Sequence, residues 1–144
     1  MNINFCKLDK NSEIPSRETN GSAGYDLRAC LNENCKLAAG KFEVINTGIA
    51  IELPEGFFAM VCSRSGLAAK HGISMPSPGI IDSDYRGPIR CILFNYSTQD
   101  FIIENGMRIA QLIVCKHEIL NWTEVTTLSR TTRGENGFGS TGLK

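Results

Sequence analysis

"DFIIENGMRIAQLIVCKH", residues 100–117, sets two apolar runs on either side of an Asn105-Gly106 pair. An Asn-Gly pair accepts positive φ at both central turn positions, which matches the twist of two paired strands. The stretch predicts a β-hairpin, and with it an all-β chain. Segments upstream agree. "VINTGIAIELPEG" (44–56) carries Ile49, Ile51 and Leu53 on alternate positions and stops at Pro54 and Gly56, the two-residue period of a half-buried strand. "FFAMVCS" (57–63) and "PIRCILFNYS" (88–97) are compact apolar runs, and "WTEVTTL" (122–128) reads as a further strand. Turn residues recur about every 8 to 12 positions, as in a sandwich or barrel. "SGLAAKHG" (65–72) differs: it is short, alanine-rich and closed by glycine. It predicts a turn or two of helix starting at Ser65.

At 144 residues the chain is long enough for one hydrophobic core without staples. Fifteen basic and fifteen acidic side chains cancel, which speaks against broad nucleic-acid or membrane-surface binding. An anionic ligand must then be held by a local cluster. No run approaches the roughly 18 apolar residues of a membrane span, and "MNINFCKLDK" (1–10) lacks the apolar core of a secretory signal. The six cysteines include no C-x-x-C pair. Reduced thiols in a cytoplasm are the expectation, with Cys62, Cys91 and Cys115 as small buried hydrophobes. His71 and His117 have no cysteine at zinc-ligand spacing. From about Ser129 the apolar content collapses, so residues 1–128 are expected to form the domain and 129–144 a mobile tail.

Five stretches carry candidate chemistry, and each alone has two readings. "GFGSTG" (137–142) matches G-x-G-x-x-G, but a dinucleotide fingerprint needs a helix after it, and the sequence ends two residues later. It is either a frayed end or a lid, in which Arg133 forks onto phosphate oxygens and Phe138 stacks on a flat ring. In "SRSGLAAKHG" (63–72), Arg64, Ser65 and Gly66 sit where a strand gives way to a helix. The unpaired N–H groups there seat phosphate, or the stretch is a plain cap with a solvated arginine. "GIIDSDYRG" (79–87) places Asp82 and Asp84 two apart. Such carboxylates serve as a general base or a magnesium site, or they mark an acidic turn. The approach "SMPSPGII" (74–81), with two prolines and a glycine, implies a rigid, shaped hairpin. "SAGYDLRA" (22–29) holds Asp26 in a strand-like setting, and "RIAQLIV" (108–114) holds Gln111 among apolar residues, where its amide needs partners unless it faces water.

Taken together and in order, AGYDLRA, RSGLAAKHGI, GIIDSDYRG, RIAQLIV and RGENGFGSTG closely resemble the five motifs of the trimeric dUTPase family. The resemblance runs from about residue 22 to residue 142. It implies an antiparallel jelly-roll-type β-barrel with one short helix and a flexible C-terminal tail. It further implies a homotrimer whose active sites are shared between chains, and hydrolysis of dUTP to dUMP and pyrophosphate with Mg2+. That reaction limits uracil in DNA and supplies dUMP for thymidylate synthesis.

Carried over motif by motif, the resemblance makes Asp82 the general base that activates the attacking water. Tyr85 packs beneath the deoxyribose and leaves no room for a 2′-hydroxyl. Ser77, Gly79, Ile80 and Ile81 read the uracil edge, largely through backbone. Arg64, Ser65, Gly66 and Gln111 hold the phosphates, and Asp26 lies near the metal through its water shell. Arg133, Phe138, Gly139, Ser140 and Thr141 belong to the closing tail, with Phe138 over the uracil and Arg133 on the terminal phosphate. Pro76 stands where some bacterial members carry an asparagine that touches the base. Ordering the tail costs conformational entropy that one stacked ring and a few charged hydrogen bonds nearly offset, so it is expected to order only over a bound triphosphate. dCTP deaminases of the same fold share the arginine-serine motif but carry a deaminating glutamate in place of the "IDSDY" pattern. A partner-binding regulator of the same fold would lack a motif, and none is missing.

Overall fold

The computed structural model describes residues 2–137. Eleven strands and one helix follow one another as β1 (Asn4–Lys7), β2 (Tyr25–Arg28), β3 (Cys35–Leu37), β4 (Phe42–Asn46), β5 (Ile49–Glu52), β6 (Phe57–Ser63), α1 (Ser65–His71), β7 (Ile73–Ser74), β8 (Gly79–Ile81), β9 (Arg90–Asn95), β10 (Phe101–Ile103) and β11 (Arg108–Lys116). The fold is all-β, as the apolar alternation predicts. The strands form four sheets, in the orders β1-β5, β10-β3, β2-β11-β6-β8 and β4-β9-β7. All seven pairings are antiparallel, and none joins two strands consecutive in the chain.

That topology overturns the hairpin expected at Asn105-Gly106. The turn forms: Gly106 takes φ +78° and Met107 N–H donates to Glu104 O at 3.2 Å. The strands it joins nevertheless part, β10 to β3 and β11 to β2 and β6. The turn's polar groups bond the segment after β2 instead. Gly106 N–H donates to Ala29 O, Ala29 N–H to Met107 O, and Leu31 N–H to Asn105 Oδ1. Asn-Gly thus serves as a bridge between two sheets.

The helix begins at Ser65, as expected, and ends on Gly72 at φ +67°, the left-handed cap glycine takes without a Cβ penalty. Lys70 and His71 in its last turn complement the carbonyl end of its dipole. Inward-facing Leu27, Leu37, Ile45, Val61, Leu93 and Ile109 build one core. Asn95 is fully buried within it. Its amide donates to Leu37 O and Gln99 O, and its Oδ1 accepts from Ser97 N–H and Oγ, so no polar atom is stranded. Of the three cysteines expected in the core, Cys91 alone is fully buried, and burial pushes its thiol up to about 12. Cys62 and Cys115 are half-buried.

Among the described residues regular structure stops at Lys116, and "WTEVTTL" forms no strand. Residues 118–136 are exposed, with Ile119, Leu120, Trp122, Val125 and Leu128 facing away from the core. A strand needs a partner edge for its backbone groups, and among the described residues the segment has none. Among the described residues no helix is long and apolar enough to cross a membrane.

Candidate active site

The four-stranded sheet carries Asp26, Gln111, Gly79, Ile80 and Ile81 of the predicted site residues. On β2, Asp26 stands directly opposite Gln111 of β11, and Gln111 stands opposite Cys62 of β6. Directly opposed residues share a face of the sheet, so Asp26 and Gln111 point the same way. Strand β6 runs into Arg64, which precedes α1 and caps it with no side-chain hydrogen bond. The helix's first N–H groups are left open as donors, beside the exposed Ser65 and Gly66. Asp26, Arg64, Ser65, Gly66 and Gln111 line one polar cavity of about 330 Å³, together with Glu18, Ser22 and Gly24.

Arg64 is held in this cavity from two sides. Its Nε bonds Asp26 Oδ1 at 3.0 Å, and its Nη1 donates to Arg108 O at 3.1 Å. A guanidinium has five N–H donors in a rigid fork, so Nη2 is left for an incoming anion. Gln111 donates from Nε2 to Ser63 O at 3.0 Å. Its side chain lies over Gly24, where a Cβ would stand 2.3 Å from Oε1. Gly24 is therefore glycine for space.

Two partners around Asp26 were not anticipated: Glu18, which lines the cavity, and Arg108, which pairs with Asp26. Arg108, inside the quoted "RIAQLIV", sends Nη1 to Asp26 Oδ2 at 3.2 Å and to Glu18 Oε1 at 2.5 Å. Its guanidinium is held above the ordinary arginine range, first by the Glu18 hydrogen bond and secondarily by Asp26. The sequence carries no sign of this. Strict alternation puts residues 108 and 111 on opposite faces, but Ile109 and Ala110 are both buried. The ladder slips between Arg108 and Ala110, and this bulge turns Arg108 onto the face of Gln111 and Asp26.

The other predicted residues lie on a separate patch. Gly79, Ile80 and Ile81 form β8, and with Asp82 and Tyr85 they line a second cavity of about 440 Å³, joined by Arg90 and Ile92. Asp82 is exposed and opens a turn closed by Tyr85 N–H to Asp82 O at 3.2 Å. Arg86 staples this turn, donating to Ser83 O and Tyr85 O and pairing with Glu52 of β5. Tyr85 folds over Gly87 and donates its hydroxyl to Pro88 O at 3.1 Å. Ser77, ahead of β8, is exposed and bonds only Pro78 O. Arg133 is not brought to either cavity: its Nε closes a tight turn onto Asn136 O at 2.8 Å. Phe138, Gly139, Ser140 and Thr141 lie outside the described residues.

No group of three or more His, Cys, Asp and Glu side chains converges on a metal position among the described residues. Mg2+ does not need such a cage. It keeps several waters and leans on one or two carboxylates plus substrate phosphates. Asp26 spends one bond per oxygen on its arginines, and a carboxylate has about four lone-pair sites. It retains capacity for a metal-bound water.

Comparison with known proteins gives one consistent result. The dUTPase family model matches residues 10–142. A deoxyuridine 5'-triphosphate nucleotidohydrolase of Rickettsia akari is 50% identical, covering 99% of this chain and 100% of its own. One from Rickettsia bellii is 52% identical over 98% and 95%. Among solved structures, the Staphylococcus bacteriophage 80alpha dUTPase with dUPNHPP superposes with a TM-score of 0.91 at 28% identity, over 99% of both chains. A dUTPase from phage phi11 of S. aureus, described as coordinating a structural Mg(II) ion, matches in fold with a TM-score of 0.83 at 22% identity, over 90% and 100%.

Proposed function

The chain belongs to the dUTPase family and is a hydrolase, and from that premise we propose that it splits dUTP into dUMP and pyrophosphate through water activated by Asp82. The observation that carries this reading is Arg64, clamped by Asp26 and the Arg108 carbonyl so that its remaining N–H groups face an open polar cavity. Beside it, Ser65, the open N–H groups of α1 and Gln111 are suited to the same phosphate chain. Phosphoryl transfer asks mainly for positioning and charge stabilisation. The protein is neutral overall, so these few groups must do the binding. When bound, Mg2+ would be held by Asp26 through its water shell and would supply further positive charge to the phosphates.

Asp82 takes the proton of the attacking water as it adds to the α-phosphorus, and pyrophosphate leaves. Tyr85 lies under the sugar and excludes a 2′-hydroxyl. The backbone from Ser77 to Ile81 reads the uracil edge, with Pro76 offering no side-chain contact there. A mismatched base strands polar groups, a penalty that reaches on the order of 10⁴-fold in rate. Residues 129–144 close over the nucleotide, with Arg133 on the terminal phosphate, Phe138 on the base, and Gly139, Ser140 and Thr141 against the phosphates.

Assembly as a homotrimer is part of the same reading. A single chain presents its phosphate cavity and its Asp82 cavity as two patches with no shared lining residue. It also exposes an apolar row from Ile119 to Leu128 and an apolar groove lined by Ile3, Phe5, Ile14, Tyr25 and Val114. Copies that cover these surfaces unite the half-sites. Free thiols throughout suit a reducing cytoplasm.

The deciding experiment is a hydrolysis panel of dUTP, dTTP, dCTP and UTP with Mg2+, following pyrophosphate and ammonia. Pyrophosphate from dUTP alone supports the reading. Ammonia from dCTP would move the chain to the deaminase branch of the fold, and no turnover of any nucleotide would leave a binding protein.

A further inference from the structure

We propose that Arg108 is a positioning residue of the phosphate cavity, holding Asp26 so that Asp26 holds Arg64, and that Glu18, which shares the same guanidinium nitrogen and lines the cavity, weakens polyphosphate binding there through its negative charge. The inference rests on the phosphate-binding role assigned to Arg64 above. Its geometric basis is a continuous charge array. Arg64 Nε bonds Asp26 Oδ1, Asp26 Oδ2 bonds Arg108 Nη1, and Arg108 Nη1 also bonds Glu18 Oε1. The array closes on itself, because Arg64 Nη1 donates to the carbonyl of Arg108. Arg108 therefore fixes Arg64 twice, through its backbone directly and through its side chain by way of Asp26.

Burial gives the array an order. The Asp26 side chain is 11% exposed, whereas those of Arg64, Arg108 and Glu18 are 28%, 33% and 56% exposed. The carboxylate at the centre is the part least served by water, so it depends most on its two arginines. Without Arg108, one Asp26 oxygen loses its charged partner. The carboxylate is then free to swing, and Arg64 loses a fixed orientation toward the cavity.

Glu18 acts in the opposite sense. It lines the phosphate cavity itself, so its negative charge repels an entering polyphosphate. Along the chain it is far from β11, and no spacing rule connects them. The pair exists because the bulge after Arg108 aims that side chain at the 16–26 segment, which is tied to β2 by Asp26 N–H to Ser16 O at 2.8 Å.

The test measures binding of inorganic tripolyphosphate and of dUMP to the full-length protein, with melting temperatures to confirm folding. Arg108→Gln is expected to weaken tripolyphosphate binding about tenfold, the scale of one charged hydrogen bond, while dUMP binding moves less than twofold. Arg108→Lys, which keeps a cation for Asp26, is expected to recover part of the loss. In an Asp26→Asn background, Arg108→Gln is expected to add less than about twofold, since its route of action is already cut. Glu18→Gln, which leaves both Asp26 ion pairs in place, is expected to tighten tripolyphosphate about threefold through removal of a nearby like charge.

Unchanged tripolyphosphate binding in Arg108→Gln overturns the proposal. So does a double variant whose loss equals the product of the singles, or a weaker Glu18→Gln. If Arg108→Gln does not fold, Arg108→Lys and Glu18→Gln decide alone. Wild-type turnover of dUTP, measured alongside, judges the functional reading separately, because tripolyphosphate binding does not require catalysis.

Discussion

Tyr85 lies across Gly87 so closely that a Cβ on Gly87 would stand 2.4 Å from the tyrosine oxygen and 2.6 Å from Cζ. The glycine is the space the ring occupies, and the Tyr85 hydroxyl bond to Pro88 O keeps the ring there. Both residues sit in a turn on the surface, so the ring has somewhere to go when it is pushed.

Gly87→Ala therefore displaces Tyr85 at small cost in stability, within about 1 kcal/mol for a site that can give way. The larger effect falls on sugar selection. The ratio of kcat/KM for dUTP over UTP is expected to drop by roughly tenfold or more, since one lost steric or polar discrimination is worth about 1 to 3 kcal/mol. Parallel kinetics on the two nucleotides decide this, and an unchanged ratio would remove Tyr85 from the sugar-reading role.

Asp82→Asn keeps the shape of the turn, because Asp82 uses its backbone carbonyl and no side-chain bond to hold Tyr85 N–H. Turnover is expected to fall by about 10² to 10⁴, the usual range for a lost general base. Binding of the non-hydrolysable dUPNHPP should stay within a few-fold, as calorimetry would show. Full turnover in this variant would rule out Asp82 as the base.

Gly24→Ala strikes the amide of Gln111, whose Oε1 would lie 2.3 Å from the new methyl. The far end of a glutamine moves readily, so the expected result is a folded protein whose Gln111 has left Ser63 O. KM for dUTP should rise about fivefold to tenfold, consistent with one displaced polar contact. A change in melting temperature with KM unaltered would make Gly24 purely structural.

Trp122 is the sole tryptophan and is 96% exposed on the single chain. Assembly that covers the 119–128 row should shift its emission to the blue, and the solution mass should be about three times 15.8 kDa. Trp122→Glu is expected to weaken both assembly and turnover together. Red, water-like emission from a protein at monomer mass would defeat the shared-site reading.

Deletion of residues 133–144 is expected to preserve the circular dichroism and melting temperature of the full chain. Among the described residues regular structure ends at Lys116, so none of the described strands is removed. Turnover should fall steeply, with binding of dUMP less affected than binding of dUPNHPP. A fully active truncated enzyme would show that closure by the tail is dispensable.

The extent to which the chain could be read before folding follows from the range of each interaction. Phe57–Ser63 is legible as a strand to the residue, and Ser65–His71 as a helix with a glycine cap, because alternation and capping act over a few positions. Asn105-Gly106 is legible as a turn for the same reason, but its flanking strands pair elsewhere, with β3, β2 and β6. "WTEVTTL" has the residues of a strand and no edge to join among the described residues.

The same division runs through the site. Order and identity of the five motifs are properties of the sequence alone, and they pointed to Asp26, Arg64, Ser65, Gln111, Asp82 and Tyr85 without any coordinates. That Asp26 is gripped by Arg108 as well as Arg64, and that Glu18 shares Arg108, was settled by tertiary structure. A one-residue bulge reverses which face a side chain takes, and it is visible only once the partner strand's register is known. Strand pairing here always spans at least one intervening element, so register, cavity lining and ion pairing are decided by the folded chain, whereas turns, caps and motif chemistry are written locally.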